Sequence, residues 1–255
     1  MNQKQRQEYI SEMLKVRGSV TTNELVEEFG VSKMTIGRDL KELETSGIAE
    51  LFHGGAMYVG ASILEYPIMI KQDLYVKEKQ QIAKLVANGI PDGCSVFLET
   101  GTTTLYVALE LINKKKCTFY TNSLSVANHF AKIDELNIHM IPGKYRSMSD
   151  GFVGIETVDY LSDKYFDYCI VGTEGISEDG AMSVHTEDDA LTKKAVMAHS
   201  KNSIVVFDRS KVGKKLLHQF GEVEKLDKIV TDYEDIAKFL HEKSSSKLQI
   251  LITKE

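Results

Sequence analysis

Lys33, Met34, Thr35, Gly37, Arg38 and Lys41 are the first residues of this 255-residue chain whose spacing could do chemistry, because helical periodicity puts them on or near one outward face. Ile36, Leu40 and Leu43 recur at helical spacing and turn inward. What is left outside is a stripe of cations and small groups that suits phosphates and base edges in a DNA groove. Three further clusters follow short apolar runs. Glu99-Thr100-Gly101-Thr102-Thr103 breaks a strand at a glycine and opens a helix on hydroxyl residues. Free amides and the positive helix end could cradle phosphate there, and a plain threonine-rich cap fits the same residues. Asp208, Ser210 and Lys211 come directly after Ile204-Val-Val-Phe207 and could hold a sugar hydroxyl and a phosphate, or form an exposed turn. Gly143-Lys-Tyr-Arg146 places two cations after a glycine turn, which alone is a weak signal.

The elements that must position these groups follow from periodicity. Residues 22–29 read as two turns of amphipathic helix with Leu25, Val26 and Phe29 on one side, ended by Gly30 where a left-handed residue is wanted. Ser32 caps the next helix and Gly47 can end it. Residues 48–51 and 56–59 read as two strands joined through Phe52-His53-Gly54-Gly55, a wing beside a helix-turn-helix. Upstream, Ile10, Leu14 and a turn at Gly18 supply a first helix. Helices are then expected at 78–88, 105–113, 123–131, 157–161, 188–199 and 233–241, alternating with strands at 95–98, 118–121, 138–141, 168–171, 203–207 and 228–230. Such alternation implies a mostly parallel sheet covered on both faces, with ligands at the strands' carboxyl ends. The expected organisation is α/β: a small winged helix-turn-helix domain at 1–58, a connector at 59–76 that contains Pro67, and a larger mostly parallel-sheet α/β domain at 77–255. A serine hinge at 244–246 should lead into a short apolar strand on the sheet edge.

Composition sets outer bounds. Hydrophobic residues make up 42% of the chain, enough for two packed cores, and the net charge of −6 suits a soluble protein. No apolar run approaches a membrane span, and Met1-Asn-Gln-Lys-Gln-Arg lacks a signal peptide's apolar core, so a cytoplasmic location with no membrane partner is expected. Cys94, Cys117 and Cys169 show no paired spacing, so reduced thiols are expected, with neither a metal site nor a cofactor. Residues 1–60 hold seven Lys and Arg against nine Asp and Glu, which runs against a simple nucleic-acid reading. Glu24, Glu27 and Glu28 lie on the preceding helix, however, whereas Lys33, Arg38 and Lys41 belong to the outward-facing one, so local sign can differ from net sign. A winged helix that binds protein is the competing reading.

Arg6, Leu14, Gly18, Leu25, Phe29, Val31-Ser32, Thr35-Ile36, Arg38-Asp39-Leu40, Leu43, Gly47 and His53-Gly-Gly-Ala56 resemble the DNA-binding signature of the DeoR family of bacterial regulators. Lys79-Gln-Gln-Ile-Ala83, Glu99-Thr-Gly-Thr-Thr103, Thr121-Asn122-Ser123, Gly143-Lys-Tyr-Arg146, Val153-Gly154, Gly172-Thr-Glu-Gly-Ile176, Asp208-Arg-Ser-Lys211 and Val230-Thr-Asp232 are similar to that family's sugar-phosphate-sensing domain, itself related in fold to ribose-5-phosphate isomerase. The resemblance implies a sequence-specific transcriptional regulator, a repressor of a carbohydrate-utilisation operon released from double-stranded operator DNA by a phosphorylated sugar. It implies Ser32, Lys33, Met34, Thr35, Gly37, Arg38, Lys41 and His53 at the DNA. Gly101, Thr102, Thr103 and Lys211 would hold the phosphate, with Glu99, Thr100, Asn122, Arg146, Glu174, Asp208 and Ser210 around the sugar.

Three positions depart from the family pattern: Gly37 and Leu51 stand where basic residues are usual or common, and Glu99 stands where Asp is usual. One winged helix offers too few contacts for a specific genomic site, so a homo-oligomer, dimer or tetramer, is expected. The alternative is an isomerase-like enzyme, since Glu187, Asp188 and Asp189 could supply a base. Thr186 before them and the helical run after them read instead as an N-cap with acids in the first turn, so no catalytic residue is expected.

Overall fold

The computed structural model describes residues 1–59, 65–134, 136–240 and 248–253. The chain divides into two compact units, Met1–Leu74 and Tyr75–Glu255.

The first unit runs α1 (Gln3–Arg17), β1 (Ser19–Thr21), α2 (Thr22–Phe29), α3 (Lys33–Thr45), β2 (Ala49–Phe52), β3 (Gly55–Tyr58) and α4 (Ile68–Gln72). Its helices begin and end where short polar residues and glycines dictate. Asn2 and Thr21 form reciprocal capping boxes with Gln5 and Glu24, and the Ser32 hydroxyl accepts from the Thr35 amide. Gly30 closes α2 in the left-handed region at φ 63. Gly47 turns the chain back after α3 at φ 72: its amide donates to the Glu44 carbonyl and that of Ile48 to Leu43, the two bonds of a Schellman end. Ile10, Leu14, Leu25, Ile36, Leu40, Leu43 and Ala56 fill the core between these helices and the wing. The wing has three strands, in the order β1-β3-β2, where the sequence pattern predicts two. Ser19-Val-Thr21 is too short to show a period. Gly55 lets β3 close on β1, since a Cβ there would lie 2.2 Å from the Val20 carbonyl oxygen. Within the expected connector, Pro67 precedes α4, whose Ile68 is buried, and residues 60–64 lie outside the described residues.

The second unit comprises α5 (Val76–Asn88), β4 (Ser95–Leu98), α6 (Thr102–Leu111), β5 (Thr118–Thr121), α7 (Leu124–Phe130), β6 (Asn137–Met140), β7 (Lys144–Arg146), β8 (Gly151–Val153), α8 (Ile155–Leu161), β9 (Phe166–Gly172), β10 (Gly175–Ile176), β11 (Ala181–Val184), α9 (Glu187–Ala198), β12 (Ser200–Phe207), β13 (His218–Glu222), β14 (Lys228–Thr231), α10 (Ile236–Phe239) and β15 (Gln249–Ile252). Seven strands form one parallel sheet in the order β15-β14-β12-β9-β4-β5-β6. Its pleat explains the continuous apolar runs. Val96, Leu98, Ile170, Ile204 and Val206 point to one core with Ile82, Val107 and Phe130 of the helices, while Phe97, Cys169, Val171, Val205 and Phe207 point to the other with Leu161, Ala190 and Val196.

β15 joins the sheet edge beside β14, as the apolar tail predicts, whereas the serine hinge at 244–246 lies outside the described residues. The last expected helix is present as the short α10, and residue 241 lies outside the described residues. Two features have no counterpart in the sequence reading. The hairpin β7-β8 follows Gly143, and β10, β11 and β13 make a small antiparallel sheet over the second core. Helix α6 starts three residues earlier than periodicity predicts, because Gly101, at φ 141, is its N-cap and the threonines that follow are helical.

Candidate functional sites

The first site is the outer face of α3. Ile36, Leu40 and Leu43 turn inward, and Lys33, Met34, Gly37, Arg38 and Lys41 are exposed. Thr35 is half-buried, its hydroxyl 2.9 Å from that of Ser32, so these two residues shape the helix start as well as flank the face. Arg38 Nη2 lies 3.8 Å from Met34 Sδ, and Lys41 Nζ lies 2.5 Å from Glu44 Oε2. His53 is exposed in the β2–β3 turn, beside Gly54 at φ 90.

One residue pair on the inner side escapes sequence reasoning. Arg6 of α1 grips Asp39 of α3 through Nε at 2.5 Å and Nη2 at 3.1 Å, both side chains buried. This planar fork fixes the rotation of α3 about its own axis. It also removes one charge of each sign from the surface. The available signal was Asp39 standing on the inward side of the helix, between Ile36 and Leu43.

The second site lies at the carboxyl end of the parallel sheet. Four adjacent strands, β5, β4, β9 and β12, deliver Asn122, Glu99 to Gly101, Glu174 and Asp208 to that end. Gly101 caps α6, and Thr102 and Thr103 in the first turn are almost fully buried. The first amides of a helix have no partner within it, so this turn keeps anion-binding capacity.

The hydroxyls and amides around it are partly committed to the fold. Asn122 accepts from the Thr100 amide at 3.0 Å and donates to the Phe152 carbonyl at 2.9 Å. Its amide thereby ties β4 and β5 to β8 at the same strand end. The Thr100 hydroxyl donates to the Ser149 carbonyl. Hairpin β7-β8 comes within touching distance of this end, because a Cβ on Gly151 would lie 2.9 Å from the Thr100 Cβ, and Gly151 is the register partner of Arg146.

Glu99 does not reach freely into a pocket. It is 1% exposed and lies 2.6 Å from Lys193 Nζ of α9, while its Oε2 also accepts from the Gly172 amide. Burial pushes its carboxyl up to about 7, against the pull of Lys193. One helical turn earlier on α9, Asp189 lies 3.3 Å from Arg146 Nη1. The carboxylates of Asp189 and Glu99 thus stand together between two cations, Arg146 and Lys193. Lys193 was missed although its spacing from Asp189 and Val196 places it on the inward face of α9. Thr186 caps α9 by accepting from the Asp189 amide, so the acidic run is a helix start in which Asp189 also forms an ion pair.

Asp208 accepts from the Ser210 amide at 3.0 Å and from its hydroxyl. Its burial acts to raise its pKa, yet Lys211, Lys79 and the Ser210 bonds hold the carboxyl below its ordinary value. Lys79, buried on α5, is a second cation that sequence reasoning did not place here. Glu174 accepts from the His185 amide at 3.3 Å, and the His185 ring lies 3.7 Å away.

Residues 6–61 match the DeoR-like helix-turn-helix domain, and residues 75–233 match the DeoR C terminal sensor domain. The chain is 35% identical over 232 residues to the glycerol-3-phosphate regulon repressor of Escherichia coli strain K12, covering 91% of this chain and 92% of that protein. It is 34% identical over 256 residues to the lactose phosphotransferase system repressor of Staphylococcus epidermidis, covering 98% and 100%. Among solved structures, ribose 5 phosphate isomerase A from Neisseria gonorrhoeae aligns at a TM-score of 0.39 and 17% identity over 52% of each chain, too slight a likeness to bear on activity.

Proposed function

The chain belongs to the DeoR family of transcriptional regulators, and on that premise we propose that it represses a carbohydrate-utilisation operon and is released from its operator by a phosphorylated sugar. The observation that carries this reading is the pairing, in one chain, of an exposed cationic stripe on α3 with a buried polar cluster at a sheet end. Relatives that match over nearly the full length are repressors, this chain carries a DeoR-like helix-turn-helix, and it is a regulator, not an enzyme.

Lys33, Arg38 and Lys41, with Met34, Thr35 and Gly37 between them, face the DNA, and His53 on the wing adds a contact. Gly101, Thr102 and Thr103 offer amides and a positive helix end to the phosphate, and Lys211 opposes its charge. Arg146, Glu174 and Asp208 surround the sugar, with Thr100 and Glu99 shaping the floor. A single α3 covers only part of a site, so two or more copies act on repeated half-sites.

The test is an operator-binding titration against a panel of sugar phosphates. One member should weaken binding, its unphosphorylated counterpart should not, and Lys211→Ala should abolish the response while leaving unliganded DNA binding intact. A panel without effect on wild-type binding would remove the sensor assignment.

A further inference from the structure

Gly37 stands in the middle of α3 with helical backbone, on the exposed face. After proline, glycine is the poorest helix former. Other glycines of this unit have a reason inside the molecule: Gly30 and Gly47 take positive φ, and Gly55 lies too close to the Val20 carbonyl for any side chain. Gly37 has neither reason. Its φ is not positive, and an added Cβ would meet no heavy atom within 4 Å outside its chain neighbours and its own helix backbone. The fold gives no cause for a glycine here, and the face it stands on is the one assigned to DNA.

The surroundings of this bare backbone are specific. Met34 lies one turn before it and is 70% exposed, and Lys33, Arg38 and Lys41 ring the remaining sides. Arg38 Nη2 sits 3.8 Å from the Met34 sulfur, so the thioether borders the gap under a cation. The result is a small apolar notch within a positively charged stripe. Phosphate oxygens and base carbonyls are met by the cations, whereas a projecting apolar group suits the notch. The apolar group on the base edges of the major groove is the C5-methyl of thymine.

We propose that Gly37 marks the closest approach of α3 to the base pairs and that its notch receives a thymine methyl, packed against Met34. This rests on the assignment of α3 as the reading helix. It adds a sequence preference made by contact with apolar surface, at a position where no side chain of this chain can donate a hydrogen bond.

The experiment uses the full chain and a duplex selected from a random-sequence library by the wild-type protein. Each thymine of the half-site is replaced in turn by deoxyuridine, which lacks only the methyl. One replacement should weaken wild-type binding about fourfold, the factor that burying one methyl group is worth. Gly37→Ala should raise the melting temperature of the first unit by about 4–8 °C. The same variant should bind the selected duplex at least about fourfold more weakly and lose sensitivity to that one deoxyuridine. Gly37→Ala binding as tightly as wild type, or no thymine whose methyl matters, would overturn the notch. An Arg38→Ala arm separates the two claims. Weakened binding there with unchanged Gly37→Ala overturns the notch alone, while unchanged binding in both removes α3 from the interface.

Discussion

Glu99 and Lys193 form a buried ion pair whose partners come from β4 and α9, ninety-four positions apart in sequence by their own numbers. Above about pH 7, where Glu99 is ionised, removing one member of such a pair leaves an uncompensated charge in a site closed to water. Lys193→Met should therefore destabilise the second unit by about 3–5 kcal/mol in urea unfolding, and Glu99→Gln added to it should recover much of that loss. The titration of Glu99 gives a second prediction. Burial raises its carboxyl from 4.5 to about 7, so the folded chain binds this proton more tightly than the unfolded chain. The stability it confers is complete below pH 4.5 and is lost as the pH rises to about 7. Glu99→Gln should flatten the unfolding free energy across that window. An unchanged slope would mean that Lys193 keeps the carboxylate ionised throughout.

At the level of elements, α3 shows that the same substitution can have opposite signs within one helix-turn-helix. Gly30 sits in the left-handed region with open space around it, so Gly30→Ala costs backbone strain alone, about 1–2 kcal/mol in thermal or urea unfolding. Gly37→Ala is expected to stabilise. These differences also say what the sequence makes legible. β4 and β5 agree with their expected bounds, because their ends are marked by polar residues and glycines close at hand. The inward face of α3 agrees for the same reason, as its period is local. Illegible parts depend on distant partners: β1 exists because β3 pairs with it, and the two-residue β10 because β11 does. The site behaves likewise. Thr102 and Thr103 announce a helix start, but nothing near Lys193 or Asp39 in sequence names Glu99 or Arg6 as the partner.

Over the whole molecule, regulation requires that occupying the sheet end changes the free energy of DNA binding by α3. Such coupling is reciprocal, typically 1–3 kcal/mol, or about 5- to 150-fold in affinity. Lys211→Ala and Thr102→Val lie in the second unit and should remove the coupling without lowering the affinity of the unliganded chain for DNA. Arg38→Ala should do the reverse, costing about 1–3 kcal/mol of operator binding while sugar-phosphate affinity without DNA stays unchanged. The most direct measurement is the affinity of one sugar phosphate for the chain, by calorimetry, with and without saturating operator duplex, beside operator affinity with and without that sugar phosphate. The account predicts that both affinities fall by the same factor, about 5- to 150-fold, and that the unphosphorylated sugar changes neither. Tight binding of a sugar phosphate with operator affinity unchanged would contradict it.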